Sequence, residues 1–310
     1  MEKTSSLSLP WIAVTAIFIV IIALFGITNG SAHAAGQPTV NLRTASPFAI
    51  LSGTPNITDS GNASVINGNV GLSPATGAGI GLVCSQVTGT IYSADASGPL
   101  PCRVTNPPLL LTAKNNLTAA YDDAAGRTPL TTIPTELGGT TLVSGVYNST
   151  STTFGITAGA GPLVLDGQND PSSVFIFQAP FSGPGLNVGS ASTVTLTNGA
   201  QACNVFWRVD TATINSTATF VGTILALNSI TVANGATING RLLARNGNVT
   251  LINDTITVPI CAGNDTGDET PGLPNTGESR GLYVFWGAIV TALMTSGGLL
   301  MYIAHKKRLS

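Results

Sequence analysis

The chain has 310 residues, only 8% of them charged, with a formal net charge of −2 and 43% hydrophobic residues. A near-neutral chain with no basic patch argues against a nucleic-acid partner, and its apolar, β-branched content argues against disorder. The two histidines, His33 and His305, fall in the terminal segments, so the central domain has no His-based metal site and no Ser-His-Asp or Cys-His catalytic set.

Residues 1–34 read as an export signal. Lys3 precedes an apolar run over 9–27, and Ala32-His33-Ala34 forms an A-x-A cleavage pattern. The alternative is an uncleaved N-terminal membrane anchor. From 45 to 72 the segments PFAILSG, NITDSG and SVINGNVGLS predict short strands broken by Gly and Asn. Residues 77–108 are rich in Gly, Ser and Pro and predict an irregular cap over one end of a stack of strands.

One helix is predicted over about 108–125. Leu110, Ala113, Leu117, Tyr121 and Ala124 line one stripe, while Lys114, Asn115, Asp122 and Asp123 fall largely on other faces. Gly126 is placed as its C-cap. With no helical partner in the chain, the stripe must lie along a sheet. After Leu137 strand patterns resume in TLVSGVYN, TFGIT, GPLVLDG, SVFIFQ and STVTLTNGA.

Residues 204–221, 222–239 and 240–257 are copies of one another at a shift of 18. Val205-Phe206-Trp207 falls on Thr223-Ile224-Leu225, Ala212-Thr213-Ile214 on Ile230-Thr231-Val232, and Ala218-Thr219-Phe220 on Ala236-Thr237-Ile238. In the third copy Val249-Thr250-Leu251 comes one residue late and Thr255-Ile256-Thr257 is back in step. Three apolar-polar snatches per short period predict a β-solenoid in which each copy is one coil with three short strands. Alternation places Phe220, Ile238 and Ile256 inward and Thr219, Thr237 and Thr255 outward. Coils stacked at about 4.8 Å turn these threonines into a ladder, with Val221, Asn239 and Thr257 in a second row about 6.7 Å away. A second face carries Thr213, Thr231 and Thr250, flanked by Thr211, Ser229 and Asn248.

Residues 263–272 read as a polar linker. Leu273-Pro274-Asn275-Thr276-Gly277 then precedes an apolar stretch over 281–304 and a basic tail, 305–310. At about 1.5 Å per residue that stretch can cross a bilayer core of roughly 30 Å, and the basic residues would remain cytoplasmic. The arrangement resembles the cell-wall sorting signal of sortase substrates in Gram-positive bacteria. The resemblance implies cleavage between Thr276 and Gly277 and attachment to wall peptidoglycan. The alternative is a plain C-terminal transmembrane anchor. The mature part is therefore one domain over 35–262 with a tether, outside the cell.

The four cysteines, Cys84, Cys102, Cys203 and Cys261, all lie in the exported part and predict two disulfides. Three connectivities are open. The expected one closes a short loop with Cys84–Cys102 and clamps the copied coils with Cys203–Cys261. Asp166 and Asp170, in LDGQND, read as a turn held by Asp side chains, with a calcium site as the alternative. Arg208, Arg241 and Arg245 read as scattered solubilising charges, with a small basic patch as the alternative. No metal and no cofactor is expected.

Taken together, GVYN, GPLVLDGQNDPSSVFIFQ, NGAQACNVFW and ATFVGTILALNSITVANGATINGRLLARNGNVTL resemble the microbial ice-binding protein family, over roughly residues 45–261. The resemblance implies a right-handed, discontinuous, three-faced parallel β-solenoid with one long helix alongside. It also implies adsorption of one flat face to ice rather than catalysis. The candidate ice-binding residues are Thr217, Thr219, Thr237, Asn239, Thr255 and Thr257, with Thr213, Thr231 and Thr250 as the alternative face. Family members often carry T-A/G-x-T/N on that side. Here the matching stretches are Ser216-Thr217-Ala218-Thr219, Asn234-Gly235-Ala236-Thr237 and Ile252-Asn253-Asp254-Thr255, which keep the last position and lack threonine at the first. Asp254, aimed inward, predicts a bend in the last coil. The alternative to ice is a wall-anchored adhesin or structural surface protein. Trp207, Tyr92, Tyr121 and Tyr147 are too few, and too core-like, to build a glycan platform.

Overall fold

A computed structural model describes residues 36–261, apart from 180–182 and 184. The segments read as export signal, linker, sorting motif, apolar stretch and basic tail lie outside the described residues. Among the described residues no helix is long and apolar enough to cross a membrane.

The domain is mainly β, with three sheets in which every pairing between strands is parallel. Alternation sends every second side chain into one shared interior. Ile57, Phe154, Phe177, Ile214, Phe220, Ile238, Leu251 and Ile256 all meet there, fully buried. Trp207 is the largest of this set. It stacks on Phe177 with ring centroids 3.9 Å apart and donates its indole N–H to the Val221 carbonyl at 3.1 Å.

The first sheet runs from the edge strand Arg103–Thr105 through Ile91–Ser93, Asn69–Leu72, Phe48–Ser52, Thr237–Ala244, Thr219–Ala226, Val205–Val209, Phe175–Gln178 and Gly145–Ser149 to Leu130–Ile133. This order shows where the stack is discontinuous. The N-terminal strand Phe48–Ser52 pairs with Thr237–Ala244, the last long copied strand, and on its other side with Asn69–Leu72. The chain thus begins in the middle of the stack, builds one end, crosses back, builds the other end and returns to its own start.

The crossing is made by the helix α1, Pro107–Gly126. Asn106 caps it, its side chain accepting from Leu109 N–H at 3.1 Å, and the prolines occupy the first turn, where no N–H is needed. Leu110, Ala113, Leu117, Tyr121 and Ala124 are buried as the stripe predicted, joined by Ala120. They pack on outward residues of the first sheet, including Leu51, Ile176, Phe206, Leu225 and Leu243. Gly126 is the last helical residue and not a left-handed cap, because Arg127 closes the helix in extended conformation.

Several expectations change. The 18-residue alignment slips at the first copied strand, where Trp207 pairs with Ile224 and Phe206 with Thr223. A one-residue slip exchanges faces, so Ile224 and Leu242 share the interior with Trp207 while Leu225 and Leu243 lie under the helix. Residues 77–108 are less irregular than expected, since Ile80–Gly81, Ile91–Ser93 and Arg103–Thr105 add strands to two of the sheets. Strands Leu130–Ile133 and Gly185–Val188 were not anticipated.

The three arginines form neither a surface patch nor a scatter of solubilising charge. Arg208 lies over one side of the Tyr121 ring system at 4.5 Å and Arg245 at 4.8 Å, and buried Arg208 donates to the Ala179 carbonyl at 2.7 Å. Arg241, also buried, donates to the Ser46 carbonyl at 2.7 Å. They fasten the helix and the N-terminal turn to the sheet. Lys114 does the same, donating to the Ala244 and Arg245 carbonyls at 2.7 and 2.6 Å. Asp122 and Asp123, on the outer faces of the helix, pair with Arg245 and Arg127.

The disulfides are Cys84–Cys102 and Cys203–Cys261, as expected, with Cα separations of 5.6 and 5.8 Å. Cys203–Cys261 closes a loop with a sequence separation of 58. In the chain-entropy account such a loop contributes roughly 4 kcal/mol. A Cys203→Ser/Cys261→Ser variant should lose about that much in chemical denaturation; a loss below ~1 kcal/mol would contradict the clamp.

Candidate functional site

α1 covers the first sheet only where Leu51, Ile176, Phe206, Leu225 and Leu243 point outward, and two other faces of the stack carry the threonines. They are reached by different routes around each coil. Strands Thr219–Ala226 and Thr237–Ala244 each turn a corner at a glycine, Gly222 and Gly240. A Cβ on Gly240 would overlap the Gly222 carbonyl oxygen, which is why the two backbones can stack so closely at that corner. Before the corner, Thr219, Phe220 and Val221 pair with Thr237, Ile238 and Asn239, and these pair with Thr255, Ile256 and Thr257. The register predicted for the ladder is the register observed. Thr219, Thr237 and Asn239 are exposed and Thr255 and Thr257 half-buried. Val221, expected outward in the second row, instead packs into the interior, beside the Gly222 corner and against Trp207, so the second row begins at Asn239.

The ladder extends beyond the copies. A bridge pairs Thr193 with Thr219, and Val65 pairs with Thr255. One row therefore reads Thr193, Thr219, Thr237, Thr255, Val65. The second row continues from Asn239 and Thr257 to Asn67. The hydroxyls of Thr193, Thr219, Thr237 and Thr255 make no hydrogen bond to protein among the described residues, and each can bond to water. Sequence comparison missed Thr193, Val65 and Asn67 because their coils are not copies; only the register reveals them.

Thr217 stands apart from the ladder. It occupies the turn before the strand in left-handed conformation, φ 59°, and its hydroxyl donates to the Ser216 carbonyl at 2.6 Å. Gly235 and Asn253 hold the matching positions with φ 78° and 53°. The residues that follow, Ala218, Ala236 and Asp254, are buried. The three stretches matched to T-A/G-x-T/N are thus the corner that leads into the ladder, with only the last position on the flat strand.

The alternative residues lie on the second sheet, an unbroken run of seven strands from Thr153–Ile156 through Gly185–Val188, Ala212–Ile214, Ile230–Val232, Val249–Leu251 and Ile57–Asp59 to Ile80–Gly81. Register sets Asn187, Thr213, Thr231, Thr250 and Thr58 in one outward row. Thr58 is a fourth threonine that the copies could not disclose. Here the side chains bond to each other: Ser229 donates to Asn248 at 2.7 Å, and Asn248 donates to the Thr250 hydroxyl at 3.0 Å.

Asp254 does not bend the last coil. The turn at 252–254 is one residue shorter than its counterpart in the preceding copy, and the turn at 245–248 one longer, so strand Thr255–Thr257 returns to register. Asp254 caps the short turn, accepting from Ile252 N–H at 2.8 Å and Ala236 N–H at 2.9 Å. Burial pushes its carboxyl up to about 6, with the Asp59 charge adding to the rise and the Ile252 and Ala236 N–H bonds opposing it. Asp59 behaves oppositely. Burial raises it, yet bonds from Ser64, Asn253 and Gln86 leave it below the usual carboxylate range.

LDGQND is a turn: Asp166 accepts from Gln168 N–H and Asn198, and Asp170 from Ser172 N–H and hydroxyl. Among the described residues no group of three His, Cys, Asp or Glu side chains could hold a metal.

The family model described as Ice-binding-like matches residues 50–257. The chain is 43% identical over 235 residues to an ice-binding protein of Flavobacterium frigoris (strain PS1), covering 74% of this chain and 80% of that one. It is 42% identical over 234 residues to an ice-binding protein of Colwellia sp., covering 74% and 88%. Among solved structures it resembles an ice binding protein from an Antarctic biological consortium, with a TM-score of 0.63 and 34% identity, covering 74% of this chain and 95% of that one. The ice-binding protein domain of Shewanella frigidimarina gives a TM-score of 0.65 at 27% identity, covering 73% and 99%. These relatives are ice-binding proteins, not enzymes. The chain belongs to the Ice-binding-like family.

The raised Asp254 value makes a pH prediction. Its folded value of about 6 exceeds the ordinary 3.8, so the folded state holds the proton more tightly. The resulting stabilisation is fully present below about pH 4 and is lost as pH rises through 6, by at most about 3 kcal/mol. The lowered Asp59 acts below its ordinary 3.8, outside this window. The melting temperature should fall between pH 4.5 and 7, and Asp254→Asn should flatten that slope. A parent that melts higher at pH 7 than at 4.5 would contradict this.

Proposed function

We propose that this member of the Ice-binding-like family adsorbs to ice through a flat, threonine-bearing face of its coil stack. What supports the reading most is the row Thr219, Thr237 and Thr255, with Asn239 and Thr257 in a second row beside it. Thr219, Thr237 and Thr255 each offer a methyl that can hold water in a cage and a hydroxyl that can anchor it, while the Thr257 hydroxyl is held by the Asn67 amide at 3.0 Å. Backbone pairing fixes the spacing at about 4.8 Å along each row and about 6.7 Å between rows. A rigid array adds many weak contacts with little ordering cost. The second sheet supports a rival placement at Thr213, Thr231 and Thr250, because its seven strands are unbroken. The names of the relatives favour ice over the adhesin reading.

Two finer points belong to the same proposal. The coils wind right-handed, as parallel strands joined by crossovers nearly always do. The chain is exported and anchored: Leu273-Pro274-Asn275-Thr276-Gly277 serves a sortase, the apolar stretch 281–304 holds the chain in the membrane until cleavage, and Thr276 is joined to peptidoglycan. A tethered domain of this kind attaches the cell to ice or restrains ice growth beside it.

Recrystallisation inhibition and thermal hysteresis of residues 35–276 should both be present and should drop at least tenfold in Thr219→Tyr/Thr237→Tyr, with the melting temperature unchanged. Loss in Thr231→Tyr instead moves the site to the second sheet, and an inactive parent refutes ice adsorption. For anchoring, the native chain released from wall digests should end at Thr276 carrying a wall peptide. Recovery with residues 277–310 still attached would refute sorting.

A further inference from the structure

The ladder crosses the seam where the last copied coil meets the first coil of the domain. Strand Thr255–Thr257 belongs to the last copied coil, and its neighbour Val65–Asn67 belongs to the first coil of the domain. The outward residues continue across this seam. Val65, 46% exposed, follows Thr255 in the first row. Asn67 follows Thr257 in the second and donates to its hydroxyl at 3.0 Å. Thr88 comes next: its N–H donates to the Ile66 carbonyl at 2.9 Å, and its exposed side chain reaches Asn67 at 3.4 Å.

Directly beneath lies a buried polar network that joins three coils. Asp254, 1% exposed, caps the turn of the copied coil through Ile252 and Ala236. Its own N–H donates to the Ser64 hydroxyl at 2.9 Å, and its carbonyl accepts from Val65 N–H at 2.8 Å. Asp59, 5% exposed, accepts from Ser64 N–H at 3.0 Å, from Asn253 N–H at 3.2 Å and from the Gln86 amide at 2.5 Å. A Cβ on Gly61 would collide with the Asn253 side chain, so the turns fit closely. Such a network costs desolvation unless every member is satisfied, and it then admits one arrangement. The ladder needs that arrangement, because a half-coil shifted by one residue would turn Val65 and Asn67 inward.

We propose that the ice-contacting surface continues across the seam onto Val65, Asn67 and Thr88, and that Asp59 and Asp254 are positioning residues that hold its two halves in one plane. This rests on the ice-adsorption reading and on the ladder as its site.

The test uses the full-length chain in mild detergent, read by recrystallisation inhibition and melting temperature. Asn67→Tyr should cost at least threefold in activity at unchanged melting temperature, while Leu111→Tyr on the helix, 61% exposed in the parent, should cost nothing. Asp254→Asn, whose amide oxygen can keep the Ala236 bond, should lower activity and make the added Asn67→Tyr cost disappear. The cost of Thr237→Tyr should persist in that background. Asp59→Asn should repeat the pattern if it folds; faster amide exchange confined to 57–67 in either variant supports the positioning role. Full activity in Asn67→Tyr beside a dead Thr237→Tyr overturns the proposal and leaves ice adsorption standing. Activity intact in both but lost in Thr231→Tyr overturns it by moving the site. An undiminished Asn67→Tyr cost in both aspartate variants overturns the positioning role. An inactive parent overturns both readings together.

Discussion

Parallel, in-register stacking of backbone is the constraint on which the rest of this domain depends. Once strands pair in parallel at about 4.8 Å, alternation leaves no choice about which side chains share the interior and which form rows outside. Trp207, Ile224 and Leu242 lie inside because Phe206, Thr223 and Arg241 are their neighbours on the outer side. The same pairing makes Thr219, Thr237 and Thr255 collinear. Regular spacing on the surface is a consequence of the core, not a separate achievement of the surface residues.

The three sheets put this constraint to different uses. The first buries the outer side of its strands beyond the glycine corner under α1, and the sparse charge of the domain is spent there: Arg208 and Arg245 pack on the Tyr121 ring, Arg241 reaches the N-terminal turn, and Lys114 caps strand carbonyls. The outward rows on the other faces are built almost wholly from Thr, Asn, Ser and small apolar residues. A surface without long charged side chains is smoother and holds its own hydration less tightly, which suits a partner made of ordered water.

The repeat made the architecture legible. A short period with three strands per copy predicted coils, and one unpartnered apolar stripe predicted that α1 lies on a sheet. Cysteines bracketing the copies predicted Cys203–Cys261. What stayed hidden has a physical reason in each case. Corners can gain or lose a residue without disturbing the strands they join, so a fixed shift of 18 set Trp207 on Leu225 where it pairs with Ile224. Alternation aimed Asp254 inward and suggested a bend, because it cannot show the turn N–H groups that the carboxylate caps. Strands with no sequence copy still enter the outward rows, because backbone pairing is indifferent to side chains; Thr193 and Asn67 join the ladder in this way and Thr58 the row on the second sheet. The arginines looked like surface charge because nothing in a local pattern shows that a helix more than 80 residues away will cover them.

The most direct test of the central claim is ice-plane affinity. The fluorescently labelled domain is frozen into a growing single-crystal ice hemisphere, which is then viewed under excitation. Adsorption through a flat, regularly spaced face predicts bright patches on a defined set of crystal planes. A hemisphere that excludes the label altogether, as it excludes an ordinary soluble protein, would contradict the account.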